Sequence, residues 1–328
     1  MMRAIVADGF GDEDRLRIGQ VPRPQCSPEQ VLVKVSAVGM NRADILQRRG
    51  LYAPPAGESS ILGLETAGEI VAVGESVAHL TVGQRVFGLV GGGAYSEYVA
   101  MDAQLAVPTP DSLSDIEAAA VIEAFVTAHE TLVELGQVQA GERVLIRAAG
   151  SGIGTTTVQM AIYLGAEVFA TTGSADKVQK IRQLGVSAVI HDQTQDLAAN
   201  IMALTHEQGI DVIQDVIGAR EVNLHLNLLR AGGRLVMLAL MAGHRTDISL
   251  ARLLTHHVQI KGFILRTRPL AEKRVMVQRF VTHWLPLLAD KTLRPIIDTV
   301  FDMENVAAAH RYMAQNKNVG KIVLQSFS

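Results

Sequence analysis

Residues 143–161 read RVLIRAAGSGIGTTTVQMA. A short apolar strand, Val144 to Arg147, runs into a turn of small residues from Ala148 to Gly154, and helical spacing follows. That layout suits a pyrophosphate. The strand turns sharply, the backbone comes close to the anion, and the helix amino terminus aims its free N–H groups at it. Aligned on Gly154, a G-x-G-x-x-G fingerprint wants glycine at 149 and 151, where this chain has Ala149 and Ser151. Glycine itself is not the requirement. Ala148 and Ala149 are small enough for the turn, and the Ser151 hydroxyl can donate to a phosphate oxygen. Gly152 and Gly154 preserve backbone approach and close helix–strand packing. Ser151, Gly152, Ile153 and Gly154 are the candidate phosphate-binding residues.

The next strand, EVFATT (167–172), ends in Thr171-Thr172-Gly173-Ser174, with Lys177 one turn into the following helix. A site for NAD ends this strand in an acid that holds the ribose 2′-hydroxyl. A missing carboxylate, a hydroxyl and an ammonium instead favour a 2′-phosphate. Gly173, Ser174 and Lys177 are therefore expected at the adenosine end, with NADPH (NADP+) preferred and NADH less favoured. Asp192, after the third strand, opposes a 2′-phosphate if it points inward.

These residues need a scaffold. From 143 onward, VLIRA, EVFATT, SAVIH (187–191), DVIQDVI (211–217), RLVMLAL (234–240) and VQIKGFI (258–264) alternate with helix-length segments. Apolar strands alternating with helices imply a doubly wound parallel sheet covered on both faces. Ligands of such sheets bind at the strands' carboxyl ends. Ile217, Leu238, Leu240 and Met241, with Phe263, Ile264 and Leu265, are expected to border cofactor and substrate there.

The first 120 residues differ. VLVKVSAVGMN (31–41), AGEIVAVG (67–74), QRVFGLV (84–90) and AYSEYVAM (94–101) are short β-segments broken by Gly or Pro, an irregular, barrel-like all-β pattern. SDIEAAAVIEAFVTAHETLVELG (114–136) has helical periodicity, opened by a capping box of Ser114 and Glu117. After about 266 comes the helical RPLAEKRVMVQRFVTHWLPLLAD and then a tail ending in GKIVLQSF. Lacking partner strands of its own in sequence, the tail is expected to pack back onto the amino-terminal domain.

The chain has 328 residues, 48% hydrophobic and 19% charged, which favours two domains with large cores. A net charge of −3 gives no electrostatic footprint for nucleic acid or an anionic membrane. Cys26 is the single cysteine, so no intrachain disulfide or thiolate metal cluster can form. The opening MMRAIVADGFGDED lacks the apolar core of a signal peptide, and no uncharged apolar run reaches about 18 residues. A cytoplasmic protein is the expectation.

ILGLETAGEIVAVG (61–74) resembles the G-H-E segment of zinc alcohol dehydrogenases in the medium-chain dehydrogenase/reductase superfamily, and VGMNRADILQRRGLY (38–52) resembles their first zinc-ligand segment. At the metal-ligand positions stand Asn41, Leu64 and, near the third, Glu123. Zinc prefers thiolate and imidazole, so no metal is expected. The four-cysteine lobe is also missing, because VGQRVFGLVGGGAYSEYV (82–99) runs through its place. NRADILQRRGLYAPP, TTGSADK, LALMAG and RYMAQNKNVGKIVL resemble the zinc-independent quinone oxidoreductase branch, in particular the tumour-suppressor-induced NADPH:quinone reductases. The resemblance spans essentially the whole chain. It implies a GroES-like catalytic domain (1–124 and 266–328) around a Rossmann NADP(H)-binding domain (125–265), and a homodimer joined at the sheet edge 258–265. It also places Thr127 below the nicotinamide and Asn318 against the cofactor.

Without a Lewis acid, simple alcohol–ketone interconversion loses its main electrostatic help. A quinone or conjugated enone differs, since hydride addition gives a delocalised anion that water protonates later. Asn41, donating its carboxamide N–H to substrate and lying against cofactor, and Tyr52, in the turn before Pro54-Pro55, are the candidate catalytic residues. The expected activity is NADPH-dependent reduction of quinones or related conjugated carbonyls. The alternatives are an enone or 2-alkenal double-bond reductase, or a non-catalytic NADPH-binding protein. Asp44 and Glu65 are expected in structural hydrogen bonding, and Arg48-Arg49 in solvent.

Overall fold

The computed structural model describes residues 1–327. The chain divides into two units, Met1–Val126 together with the chain from Arg266 onward, and Thr127–Leu265.

The first unit opens with β1 (Met2–Ala7) and β2 (Leu16–Val21), an antiparallel pair. β3 (Gln30–Gly39), α1 (Arg42–Arg48), β4 (Glu65–Val73), β5 (Arg85–Leu89), β6 (Tyr98–Asp102) and β7 (Ala106–Pro108) follow, then α2 (Asp115–Ala118) and α3 (Ile122–His129). The predicted capping box is present at α2: Ser114 Oγ accepts from Glu117 N, and the Glu117 carboxylate accepts from Ser114 N at 2.9 Å. The single helix expected over 114–136 is broken. α2 stops at Ala118, and beyond α3 the segment Glu130–Leu135 widens into a π-helix whose Thr131 hydroxyl donates to the Thr127 carbonyl at 2.8 Å.

The second unit holds β8 (Arg143–Ile146), α4 (Gly152–Tyr163), β9 (Glu167–Thr172), α5 (Ala175–Arg182), β10 (Ala188–His191), α6 (Leu197–Leu204), β11 (Ile210–Asp215), α7 (Val222–Leu228), β12 (Leu229–Met237), α8 (Leu250–His256) and β13 (Gln259–Gly262). Its six strands are all parallel in the order β10-β9-β8-β11-β12-β13. Every residue of the central β11 is buried, as a strand covered on both faces must be. Order reverses between β8 and β11, so the crevice beyond their carboxyl ends is the switch point where such sheets bind ligands. The edge strand β13 is shorter than the expected 258–264.

The chain returns to the first unit with α9 (Leu270–His283), α10 (Leu285–Ala289), β14 (Ile297–Asp302), α11 (Val306–Ala314) and β15 (Lys321–Gln325). α9 and α10 part at Trp284, just before Pro286, which cannot donate a helical hydrogen bond. The tail packs where expected: β15 pairs antiparallel with β3. It also has a partner the pattern did not reveal, the parallel β14. The sheet runs β14-β15-β3-β4-β5-β7, with β6 also paired to β3. β3 and β4 slip register twice, and a Cβ at Gly68 would lie 2.0 Å from the Lys34 carbonyl oxygen, so only glycine fits that crossing.

Phe280 of α9 is fully buried, edge-on to Phe87 at 6.2 Å and Phe125 at 6.3 Å between ring centroids. Phe280→Ala is expected to cost about 3–5 kcal/mol. Calorimetry should show the transition of the first unit falling, while that of the second stays within a degree or so.

Candidate functional site

In the second unit, the strand-to-helix loop forms as its small residues require. Ser151 caps α4, its Oγ accepting from Gly154 N at 3.0 Å, so the hydroxyl retains a proton to donate. A Cβ at Gly154 would fall 2.6 Å from the Ala148 carbonyl oxygen and 2.7 Å from Ala149 Cα. This is the close helix–strand approach that the last glycine of a fingerprint provides. The sharp turn falls at Ala148, with φ +51°, one residue before the position that alignment assigned to it. Ser151, Gly152 and Ile153 remain partly exposed at the start of the twelve-residue α4. The residues fit a dinucleotide pyrophosphate.

Around this loop the carboxyl ends of the strands gather the other expected residues. Gly173 is exposed, Ser174 N donates to Thr172 Oγ1 at 3.3 Å, and the Lys177 alkyl chain lies against Gly150. Ile217 N donates to Asp215 Oδ1 at 2.7 Å, and its carbonyl accepts from Ala242 N, tying the ends of β11 and β12 together. In that segment Leu238 is half-buried, while Leu240 and Met241 are exposed. Phe263 and Leu265 are buried and Ile264 exposed, so these three alternate instead of lining one surface. Thr127 is half-buried, with its carbonyl engaged by Thr131.

Arg147, which no motif marks, sits at the centre of this end of the sheet. Its buried guanidinium donates to Thr171 Oγ1 at 3.0 Å, to Asp192 Oδ2 at 3.1 Å and to Glu221, and meets His225 Nε2. Burial and the Arg147 charge push the His225 imidazole down to about 3, so it stays neutral. The expectation of NADPH rested on a second strand with no acid at its tip, on a hydroxyl there and on Lys177. Asp192 brings an acid there from the neighbouring strand. A cation at the end of a buried strand was the available signal, since such a charge needs a partner.

The first unit carries a separate polar cluster. Lys321, at the start of β15 and 4% exposed, donates to Glu65 Oε1 at 2.5 Å, Asn41 Oδ1 at 2.8 Å and the Met40 carbonyl at 2.9 Å. Those three bonds use every proton of the ammonium. Because an ammonium only donates, the Asn41 oxygen must face it, and the amide nitrogen faces Glu65 Oε1 (2.9 Å) and the Gly39 carbonyl (3.2 Å). Both amide protons are thus engaged within the protein. In this structure Asn41 ties the cluster together, bonding Lys321 through its oxygen and Glu65 and Gly39 through its nitrogen. Asn318 lies nearby in sequence, buried, its amide donating to the Gly320 carbonyl at 2.6 Å.

Asp44 and Glu65 are both buried and hydrogen-bonded within the first unit. Asp44 accepts from Asn41 N (2.8 Å), Tyr95 Oη (3.1 Å) and Gly63 N (3.3 Å), yet burial raises its carboxyl to about 6. The second oxygen of Glu65 accepts from Glu123 N at 3.0 Å. Glu123 is half-buried, and burial followed by the Glu65 carboxylate pushes it up to about 8. Three carboxyls share one ammonium here, and Glu123 keeps its proton at neutral pH. Burial raises the Tyr52 phenol too, and the Glu123 charge adds to it. Arg266 lies 5.2 Å over the Tyr52 ring and donates to the Gly91 carbonyl at 2.9 Å. Arg48 overturns the expectation of a solvated pair: it is 1% exposed and faces Glu13 at 3.5 Å, while Arg49 faces Asp12.

These residues do not fit zinc. Leu64 is apolar and buried, Asn41 gives its oxygen to an ammonium, and among the described residues no three His, Cys, Asp or Glu are grouped to hold a metal.

Lys321→Met leaves Glu65 as a buried, unpaired carboxylate and is expected to destabilise by about 3–5 kcal/mol. Adding Glu65→Gln should recover a large part of that, and a double-mutant cycle in denaturant reads the coupling. Glu123 makes stability depend on pH. Its ordinary value is 4.5, and its raised folded value means that the folded chain holds a proton the unfolded chain releases between 4.5 and about 8. That contribution is complete below pH 4.5 and is lost as pH rises through about 8. Glu123→Gln should flatten the fall in melting temperature across this window.

Residues 27–111 match the alcohol dehydrogenase GroES-like domain, and residues 152–282 the zinc-binding dehydrogenase family. The chain is 34% identical, over 97% of its length, to one subunit of the phenolphthiocerol/phthiocerol polyketide synthase of Mycobacterium tuberculosis, of which it spans 14%. It is 31% identical to the synaptic vesicle membrane protein VAT-1 homolog of Rattus norvegicus, covering 98% of this chain and 84% of that one. Among solved structures, the CurK enoyl reductase superposes with a TM-score of 0.88 at 28% identity, covering 99% of both chains. A Pseudomonas syringae pv. Tomato DC3000 quinone oxidoreductase superposes with a TM-score of 0.89 at 27% identity, covering 99% of this chain and 100% of that one. Among the described residues no helix is long and apolar enough to cross a membrane. With a GroES-like unit, a parallel dinucleotide-type sheet and a relative at 31% identity matched over most of both chains, the chain belongs to the medium-chain dehydrogenase/reductase family.

Proposed function

We propose that this chain reduces conjugated carbonyl compounds, quinones or α,β-unsaturated carbonyls, with a reduced nicotinamide dinucleotide and without a metal. The observation that carries the reading is the Lys321–Glu65–Asn41 knot. An internal ion pair stands among the residues that resemble a metal-ligand segment, and beside it Glu123 keeps a proton. A bound reduced nicotinamide supplies hydride. The chain supplies position, a loop for the pyrophosphate, and a proton. Hydride addition to a conjugated acceptor leaves its charge delocalised, so the acceptor's own π-system does what a Lewis acid does for a simple ketone.

The enone reading has a specific observation in its favour. Reducing a carbon–carbon double bond needs a proton at carbon as well as a hydride, and Tyr52 and Glu123 both hold protons above neutral pH. The structural likeness to an enoyl reductase supports the same reading. A quinone needs no such donor, because water protonates the hydroquinone anion. Two copies are proposed to join along β13, the edge strand, with Ile260 36% and Ile264 48% exposed.

Cofactor oxidation measured with a quinone panel and with 2-alkenals tests the reading. Turnover with neither class, even where cofactor binds, overturns it and leaves a binding protein. Tyr52→Phe should lower kcat for the 2-alkenal about a hundredfold and leave quinone reduction within about twofold. Equal losses on both would show that Tyr52 binds the acceptor and does not protonate it.

A further inference from the structure

The acid expected to hold a ribose 2′-hydroxyl normally closes the second strand of such a sheet. Here that strand, β9, closes in Thr172-Gly173-Ser174. The parallel register pairs His191 with Thr172, which sets Asp192 level with Gly173, and Asp192 N donates to the Thr172 carbonyl at 3.1 Å. Asp192 Oδ1 lies 3.6 Å from where a Cβ on Gly173 would stand. Its side chain is 22% exposed, within reach of a ligand from solvent. Oδ2 is turned the other way, onto Arg147 Nη2 at 3.1 Å. The carboxylate is thus clamped by one oxygen and presents the other at the turn.

We infer that this chain selects NAD(H), with its free ribose 2′-hydroxyl, over the 2′-phosphorylated NADP(H), because Arg147 holds the Asp192 carboxylate at the tip of β9.

The charges around the turn favour the same choice. Arg147 would suit a phosphate, but its donors face Thr171, Asp192, Glu221 and His225. Arg147 stands between the Asp192 and Glu221 carboxylates, the exposed Arg220 pairs with the far oxygen of Glu221 at 3.6 Å, and His225, neutral, adds no positive charge, so Asp192 is the charge that faces the turn. A phosphate monoester brings a further charge of about −1.5 to −2. Lys177 is the nearby cation in sequence, yet its alkyl chain packs on Gly150 of the phosphate loop, its Cδ 3.1 Å from where a Cβ there would lie. A hydroxyl donating to a fixed carboxylate oxygen fits this turn, whereas a dianion placed against it is repelled.

This deepens the proposed function, resting on it only in taking the second unit as the nucleotide site, and binding tests it without turnover. NADH and NADPH are titrated into the full chain, following the fluorescence of the reduced nicotinamide. The expected result is NADH bound at least about tenfold more tightly than NADPH. Asp192→Asn keeps the shape and removes the charge, and should narrow that ratio about tenfold, mainly by improving NADPH. Its melting temperature is checked alongside, and the comparison on the unmodified chain stands whether or not the variant folds. NADPH bound as tightly as NADH, or more tightly, overturns the inference and leaves the proposed reduction intact. Binding of neither overturns both.

Discussion

The first unit depends on one buried ammonium. Lys321 opens β15, and its three protons reach Met40 just past β3, the capping residue of α1 and the first residue of β4. Removing an ammonium from water costs several kcal/mol, recovered only when geometry is good and every proton is bonded. Both conditions hold here, and the bonds tie together side chains from elements whose backbones are already paired in register. Glu123 inherits the remaining electrostatics: with the one ammonium taken by Glu65, a further buried carboxyl is most stable neutral. The proton reserve of the proposed chemistry is thus a by-product of how the fold is tied.

The second unit solves the same problem in mirror image. Arg147 is a buried cation between carboxylates at the end of a strand, and it too fixes a neighbour, turning Asp192 toward the β9 turn. In both units a charge pair that is costly to bury fixes the orientation of a neighbouring polar side chain. Such pairs add little net stability, but removing either partner is severe. Their contribution is conformational.

Local features were legible in the sequence. The strand–turn–helix loop from Ala148 to Gly154 could be read because turn, approach and cap are set by adjacent residues, and the Ser114 box for the same reason. The Rossmann-type alternation was legible from apolar periodicity, and the return of GKIVLQSF to the amino-terminal sheet from a strand-like tail with no evident partner beside it in sequence. What escaped depends on register between distant strands. No local pattern shows that Asp192 lies beside Gly173, that Asn41 has both amide protons engaged, or that Arg48 is buried while Arg49 is not. β14 escaped as well, being a half-exposed strand whose apolar and polar residues do not alternate cleanly.

Lys321 and Glu65 are separated by 256 positions in the chain. At about 5–20 residues per second, a ribosome takes roughly 13–50 s to travel from one to the other. Throughout that interval the acid has no counter-ion, and the amino-terminal strands must wait with their central charge still hydrated. Thr127–Leu265, by contrast, is continuous and carries both halves of its own ion pairs. During synthesis this continuous unit can therefore mature before Lys321 emerges and completes the other.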